Sequence, residues 1–286
     1  MNSTHVVAEA GAAAERAAHG AGVSVRELHE PEEILAACRL LDRVWQPEPG
    51  NPLITPELMR VFAHCGSYVV AVHLDGRMAG VCLGFLASTG LHSHIAGVDG
   101  DARGRNIGYT VKLHQRAWAL ERDITTVTWT FDPLISRNAY FNLAKLGAVP
   151  SEYLTDFYGT MRDAVNAGTE TDRLLVRWEL TGEAAVRAAA GTPHVVTADS
   201  PGARTVVGLD AKPDGRPAVG RRDGDTVLVH VPAQMEKLRR TDPDVAREWR
   251  YALREVLGGL MEQGHAVTGF TRDGWYVIDK RQETRE

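Results

Sequence analysis

Val23 to Leu28 (VSVREL) alternates apolar and polar residues, a period of two that predicts a first strand. Glu30-Pro31-Glu32-Glu33 then suits a helix start, with proline in the first turn and acids at the positive end of the helix dipole. Ile34, Leu35, Cys38, Leu41 and Val44 continue at helical spacing, and the helix should stop before Pro47. Thr55-Pro56-Glu57 caps a second helix running to about His64. Ser67 to Leu74, Arg77 to Ala87 and Leu91 to Val98 read as three strands, the first two joined by the hairpin dipeptide Asp75-Gly76. A polar turn, Asp99 to Ala102, leads into Arg103-Gly104-Arg105-Asn106-Ile107-Gly108. A helix follows, with Val111, Leu113, Ala117 and Leu120 on its apolar stripe.

Further along, Ile124 to Phe131 (ITTVTWTF) is rich in β-branched and aromatic residues and predicts a strand. Ser136 to Leu146 predicts a helix ended by Gly147. Tyr153 to Gly159 and Leu174 to Leu180 read as strands, and residues 160–172 between them as a short helix or a substrate lid. From Thr181 the chain turns alanine-rich, then heavy in Gly, Pro, Asp and Arg up to Gly224, with a strand at Thr205 to Leu209. Thr226 to Val231 predicts another strand, and Pro232 to Leu238 a short helix. A strong helix begins at Asp242-Pro243-Asp244 and ends near Gly264, with Val245, Trp249, Leu253, Val256, Leu257 and Leu260 on one face. Ala266 to Thr271 and Trp275 to Asp279 form a hairpin about Asp273-Gly274.

Composition narrows the functional classes. The net charge of −5 is slightly acidic, and no Lys/Arg run forms a stripe, so no nucleic acid is expected as partner. No apolar run approaches the roughly 20 residues of a membrane span, so no membrane is expected either. The first 20 residues lack the basic start and apolar core of a secretion signal. Cys38, Cys65 and Cys82 are odd in number and far apart, which argues against a disulfide framework and for a reducing, cytoplasmic setting.

The strand–loop–helix at Leu91 to Ala119 carries the candidate chemistry. The first amides of a helix lack intrahelical acceptors and sit at the positive end of its dipole, and glycines let a bulky anion approach the backbone. Such a loop is a phosphate cradle or an ordinary strand–turn–helix connection. No G-x-x-x-x-G-K-[ST] occurs, and the glycine spacing differs from the dinucleotide fingerprint. Arg103-x-x-Asn106-x-Gly108 resembles the (Q/R)-x-x-G-x-(G/A) pyrophosphate loop of the GNAT N-acyltransferase superfamily, with Asn106 in place of the middle glycine. Asparagine is the non-glycine residue that best tolerates positive φ. Ser136 to Gly147, ending Lys145-Leu146-Gly147, resembles the superfamily's late helix. WTFDPL, SRNA and KLGA, with a WR-containing tail, resemble a subgroup that has a C-terminal extension.

The resemblance implies an α/β (α+β) fold: a mixed, mostly antiparallel central sheet flanked by helices, with a C-terminal α/β extension. Ala, Gly and polar residues dominate the first 22 positions, which predicts a disordered segment or a frayed helix over 1–22; an acyltransferase core over 23–180 and an extension over 181–286 packed on that core are expected to follow. Two independent domains linked near 181–224 are the alternative. The resemblance further implies an acyl-CoA-dependent N-acyltransferase that uses acetyl-CoA or another acyl-CoA as co-substrate. The acyl group would pass by direct attack to the amine of a small metabolite, amino acid or peptide. A catalytically silent acyl-CoA-binding module, or a transferase using a longer or dicarboxylic donor such as succinyl-CoA, is the competing reading. A homodimer stays open.

Pyrophosphate would lie on Arg103, Gly104, Arg105, Asn106, Ile107, Gly108 and Tyr109, pantetheine along Ala96, Gly97 and Val98, and Asn138 is a further donor-site candidate. For the base the candidates are His92 and His94, which alternation puts on one strand face with Ser93 on the other. Each is also readable as a structural histidine. Asp132 is either a base or a turn initiator before Pro133. Many members place a tyrosine acid where this chain has Leu143, so Tyr140 is the substitute candidate, as is water. Two histidines at i, i+2 with no third ligand make no metal site, and none is expected. Trp45, Leu53, Ile54, Tyr153 and Phe157 line the acceptor side or belong to the core.

Overall fold

A computed structural model describes residues 3–159, 161, 170–193, 196 and 204–280. Of the expected helix or lid at 160–172, residues 160 and 162–169 lie outside them. The chain forms two compact units. The first is the chain up to Trp129 together with Glu179–Gly182; the second starts at Thr130 and includes everything from Glu183 on. This differs from the expected boundary at residue 180. The reason lies within the second unit, where the segments after Thr130 pack with the C-terminal strands and helices.

The first unit contains α1 (Ser3–Ala21), β1 (Val23–Glu27), α2 (Pro31–Trp45), α3 (Pro56–His64), β2 (Tyr68–Leu74), β3 (Arg77–Ala87) and β4 (Gly90–Val98). A 3-10 turn at Gly100–Ala102, then α4 (Ile107–Leu120) and the part of β5 (Thr126–Phe131) up to Trp129 complete it. The sheet order is β1-β2-β3-β4-β5, antiparallel except for β4 with β5. Helix ends follow local chemistry. Pro31 opens α2, Gln46 closes it at φ +49°, and the Thr55 hydroxyl accepts from the Leu58 amide to cap α3. The β2–β3 hairpin turns through Asp75 (φ +51°) and Gly76 (φ +75°), the two positive φ values of a type I′ turn. Ile34, Ala37, Leu40 and Leu41 of α2 and Met59 of α3 pack on Val69, Ala71, Val81 and Leu83 of β2 and β3.

The N-terminal segment, expected as disorder or a frayed helix, is an ordered helix. Alanine is the best helix former, and Val6, Ala10, Ala13 and Ala14 form a buried stripe on α1, which packs against α4. Glu9 reaches the fully buried Arg116 guanidinium at 2.9 Å, and the Thr110 hydroxyl donates to the Ala17 carbonyl. A short-side-chain stripe has little hydrophobic contrast, which is why it reads as unstructured.

The second unit contains α5 (Ser136–Ala139), a π-helical segment Tyr140–Lys145, β6 (Val149–Leu154), β7 (Arg173–Glu179), α6 (Glu183–Ala189), β8 (Thr205–Ala211), β9 (Pro217–Val219) and β10 (Thr226–His230). Then come α7 (Met235–Thr241), α8 (Pro243–Leu253), a second π segment Arg254–Gly258, α9 (Gly259–Glu262), β11 (Ala266–Phe270) and β12 (Trp275–Asp279). β6 pairs antiparallel with β7, and a five-stranded sheet runs β11-β12-β10-β8-β9. The expected face of the long helix is buried throughout, Val245, Trp249, Leu253, Val256, Leu257 and Leu260 included. β6 begins earlier than expected, at Val149, and stops at Leu154; Asp156 follows at φ +43°. The expected Ser136 to Leu146 helix is present but widens to π geometry from Tyr140.

Candidate active site

β4 and β5 meet over only two rungs, Leu91–Val127 and His92–Thr128. Beyond them β4 continues to Val98 with its other side paired to β3, so its β5-facing edge is open. The β3 ladder slips at this point. Ile95 opposes Leu83 and Ser93 opposes Gly84, which leaves His94 as the extra residue of a bulge. A vertex, a bulge just past it and an open strand edge therefore lie in sequence along β4.

The edge leads into the loop before α4. Gly104 has φ +83° and Asn106 φ +58°, so Asn106 takes the left-handed conformation expected of a glycine substitute. Among the described residues nothing accepts from the amides of Gly104 to Gly108, and the first helical bond is Thr110 to the Asn106 carbonyl. Buried Ala102 and Ile107 anchor the two sides of the loop, while Arg103, Gly104, Arg105, Asn106 and Gly108 are exposed. Five amides without an acceptor among the described residues, at a helix N-terminus and beside two exposed arginines, make this loop a candidate anion site. Gly97 has a packing role too: a Cβ there would meet Leu41 of α2 at 2.9 Å.

His92 and His94 share a face, as alternation requires. Their rings lie 6.1 Å apart and pack on Phe85 at 5.3 and 5.6 Å. His92 Nδ1 shares a hydrogen bond with the Thr128 hydroxyl at 3.0 Å. Burial, reinforced by His94 and Lys112, lowers the His92 pKa to about 4. His94 is exposed, and desolvation lowers its pKa as well. Ser93 faces the other way, into a buried polar cluster. Its hydroxyl accepts from Lys112 Nζ at 3.0 Å and from Gln115 Nε2 at 3.2 Å. Sequence reading missed this cluster, because a lysine and a glutamine on a helix resemble surface residues until the strand behind them is known.

Asp132 belongs to the second unit and is not a base. Its buried carboxylate is held bidentately by Arg250 at 2.8 and 2.9 Å and is contacted also by Arg239. Those guanidiniums hold its pKa far below the usual carboxylate range against the opposing cost of burial, so it cannot take a proton from an ammonium near neutrality. Its Oδ1 also accepts from the Leu134 amide at 3.0 Å, the turn-initiating alternative. In the same unit the Tyr140 hydroxyl accepts from Arg272 Nε at 3.0 Å, and Leu143 and Asn142 are buried. Asn138 is half-buried, its backbone N–H donating to the Ile135 carbonyl.

The acceptor candidates divide. Ile54 is buried and Trp45 and Leu53 pack against the first unit's core. Tyr153 donates to Asp172 at 2.7 Å, while Phe157 is exposed. Of the cysteines, Cys38 and Cys82 are buried and Cys65 is exposed; all three are free thiols. Among the described residues no three His, Cys, Asp or Glu side chains gather as metal ligands, and no helix is long and apolar enough to cross a membrane.

Residues 8–141 match the family described as acetyltransferase (GNAT) domain. A comparison with curated proteins gave no match. Among solved structures the chain is similar to the ribosomal-protein-S18-alanine N-acetyltransferase of Escherichia coli, at 16% identity and TM-score 0.42, over 56% of this chain and 97% of that one. It is similar to Chaetomium thermophilum Naa20 in complex with a bisubstrate analogue, at 18% identity and TM-score 0.45, over 55% and 86%. It is also similar to Mycobacterium smegmatis RimJ in complex with CoA-disulfide, at 18% identity and TM-score 0.45, over 60% and 91%. The mixed, mostly antiparallel sheet of the first unit and its helices lie within the stretch that matches the acetyltransferase (GNAT) domain, a little under half of the chain.

Proposed function

We propose that the protein transfers an acyl group, acetyl in the first instance, from acyl-CoA to the amine of a small metabolite, amino acid or peptide. The observation that carries this is the parting of β4 from β5 after His92–Thr128, with an open β4 edge leading to unused amides at the start of α4. Acyl-CoA supplies an activated thioester. Amides of Gly104 to Gly108, with Arg103 and Arg105, hold the pyrophosphate. Ala96 to Val98 offers backbone partners to pantetheine as a strand-like edge, which places the thioester at the vertex. There an amide of the bulged segment polarises the carbonyl.

His94 takes the ammonium proton in this scheme. It is exposed at the bulge, whereas His92 is tied to Thr128 and is too weakly basic near neutrality. The amine nitrogen bonds to the acyl carbon as the carbon–sulfur bond breaks, and the thiolate leaves with its electron pair. With Leu143 apolar and Tyr140 engaged by Arg272, water returns the proton to sulfur.

The test mixes the protein with acetyl-, succinyl- or long-chain acyl-CoA and an amine panel and follows free thiol. Amine-dependent thiol release is expected with at least one donor. Calorimetric binding of coenzyme A without turnover on any pair would instead favour a silent acyl-CoA-binding module.

A further inference from the structure

Two phenylalanines of the first unit extend the histidine face of β4. Phe85 of β3 stands opposite His92, and its ring packs on His92 at 5.3 Å and on His94 at 5.6 Å. Phe85 also stacks with Phe62 of α3, at 5.6 Å between ring centres and 18° between planes. All of these separations lie in the range over which ring pairs attract. Phe62, Phe85 and His92 are half-buried and His94 is exposed, so the four rings form one strip that keeps part of its surface open.

The strip begins where the helical cover of the sheet ends. Val81 and Leu83 of β3 are buried in the core built with Leu41 of α2 and Met59 of α3. Phe85 lies two residues further along the same strand face. What stacks on it there is Phe62, in the last turn of α3.

The chemistry of the strip is narrow. Its polar side-chain atoms are the imidazole nitrogens, and one of them, His92 Nδ1, is already bonded to the Thr128 hydroxyl. Among the described residues neither histidine forms an ion pair or a hydrogen bond with a carboxylate. A second charge on an acceptor lying along these rings would lose water and gain no partner, which is costly. An aromatic ring would instead bury apolar area and gain ring–ring contact.

We propose that the acceptor is a primary amine carrying an aromatic ring and no second charge: its ring packs on the Phe62–Phe85 pair and its nitrogen reaches His94, which makes Phe85 a specificity-determining residue. The inference rests on the reading of His94 as the proton acceptor. A short linker of two carbons between ring and nitrogen suits the site, because Phe85 and His94 are direct neighbours.

Two readouts on the full chain test this, with 2-phenylethylamine, putrescine and glutamate as probes. In ligand-observed NMR with coenzyme A present, 2-phenylethylamine should bind at least about tenfold more tightly than the other two, and Phe85→Ala should weaken it by about tenfold. If Phe85→Ala does not fold, Phe85→Leu, which keeps an apolar side chain and loses the aromatic face, should weaken it by about threefold. In thiol-release kinetics with the preferred acyl donor, kcat/KM should favour 2-phenylethylamine over putrescine by about tenfold or more, and that ratio should fall in either variant. Equal affinities for the three probes, or an unchanged affinity for 2-phenylethylamine in a folded Phe85 variant, would overturn the proposal. Selective binding that is lost in the Phe85 variants, with no thiol release from any amine, would uphold the aromatic site and sink the transfer reading.

Discussion

His92 and Thr128 share a hydrogen bond at 3.0 Å across the last rung that joins β4 to β5. The bond clamps the vertex and occupies one ring nitrogen of His92, and on the proposed reading His94 is the histidine that meets the incoming amine. Replacing His94 by alanine should therefore lower kcat about 100-fold or more, the usual weight of a general base. His92→Ala should act mainly by loosening the vertex, raising KM for acyl-CoA. Steady-state kinetics with the preferred donor would separate the two effects, and equal kcat losses would contradict the division of roles.

The lowered His92 pKa also makes a stability prediction. A group whose folded pKa is depressed binds fewer protons folded than unfolded, between its unfolded value and its folded one. Its contribution is complete above the ordinary histidine value near 6.5 and is lost as pH falls toward about 4. Thermal melts should show Tm declining through that window, and His92→Phe should flatten the decline.

Asp132 is a structural anion, with two arginine partners in its own unit. Asp132→Asn leaves Arg250 buried and uncompensated, which should cost about 3–5 kcal/mol in denaturant unfolding. The double variant Asp132→Asn/Arg250→Met should recover part of the loss. The pH–rate profile should keep its shape between pH 6 and 9 in any folded Asp132 variant, since the carboxylate does not titrate there.

How far the site is legible in the sequence depends on range. β4, α4, the loop between them with its left-handed Asn106, and the shared face of His92 and His94 follow from local periodicity and residue type, so they can be read in order along the chain. Asp132 cannot: its partners Arg239 and Arg250 lie more than 100 residues later, and no spacing rule connects them. The same holds for Lys112, whose burial follows from strand register and not from its place on the helix. α1 was hidden by alanine, whose helix propensity is high and whose hydrophobic signal is weak. The π segment at Tyr140 leaves no trace in composition, yet it sets which residues of that helix face inward.

Asn106 gives a direct check on the loop. Its left-handed backbone is easy for glycine and strained for β-branched residues. Asn106→Gly should bind coenzyme A within about threefold of wild type, whereas Asn106→Val should weaken it by about tenfold or more, equivalent to about 1.4 kcal/mol. Calorimetry on both variants decides it, and equal affinities would mean that the loop conformation is irrelevant to binding.

The central claim is that one continuous path, from the β4–β5 vertex along the open edge to the start of α4, holds the acyl donor. Hydrogen–deuterium exchange with and without coenzyme A tests it most directly. Added coenzyme A should slow exchange at Ala96 to Val98 and at Gly104 to Tyr109 together, and little elsewhere in the first unit. Binding that leaves both stretches unprotected would contradict the account.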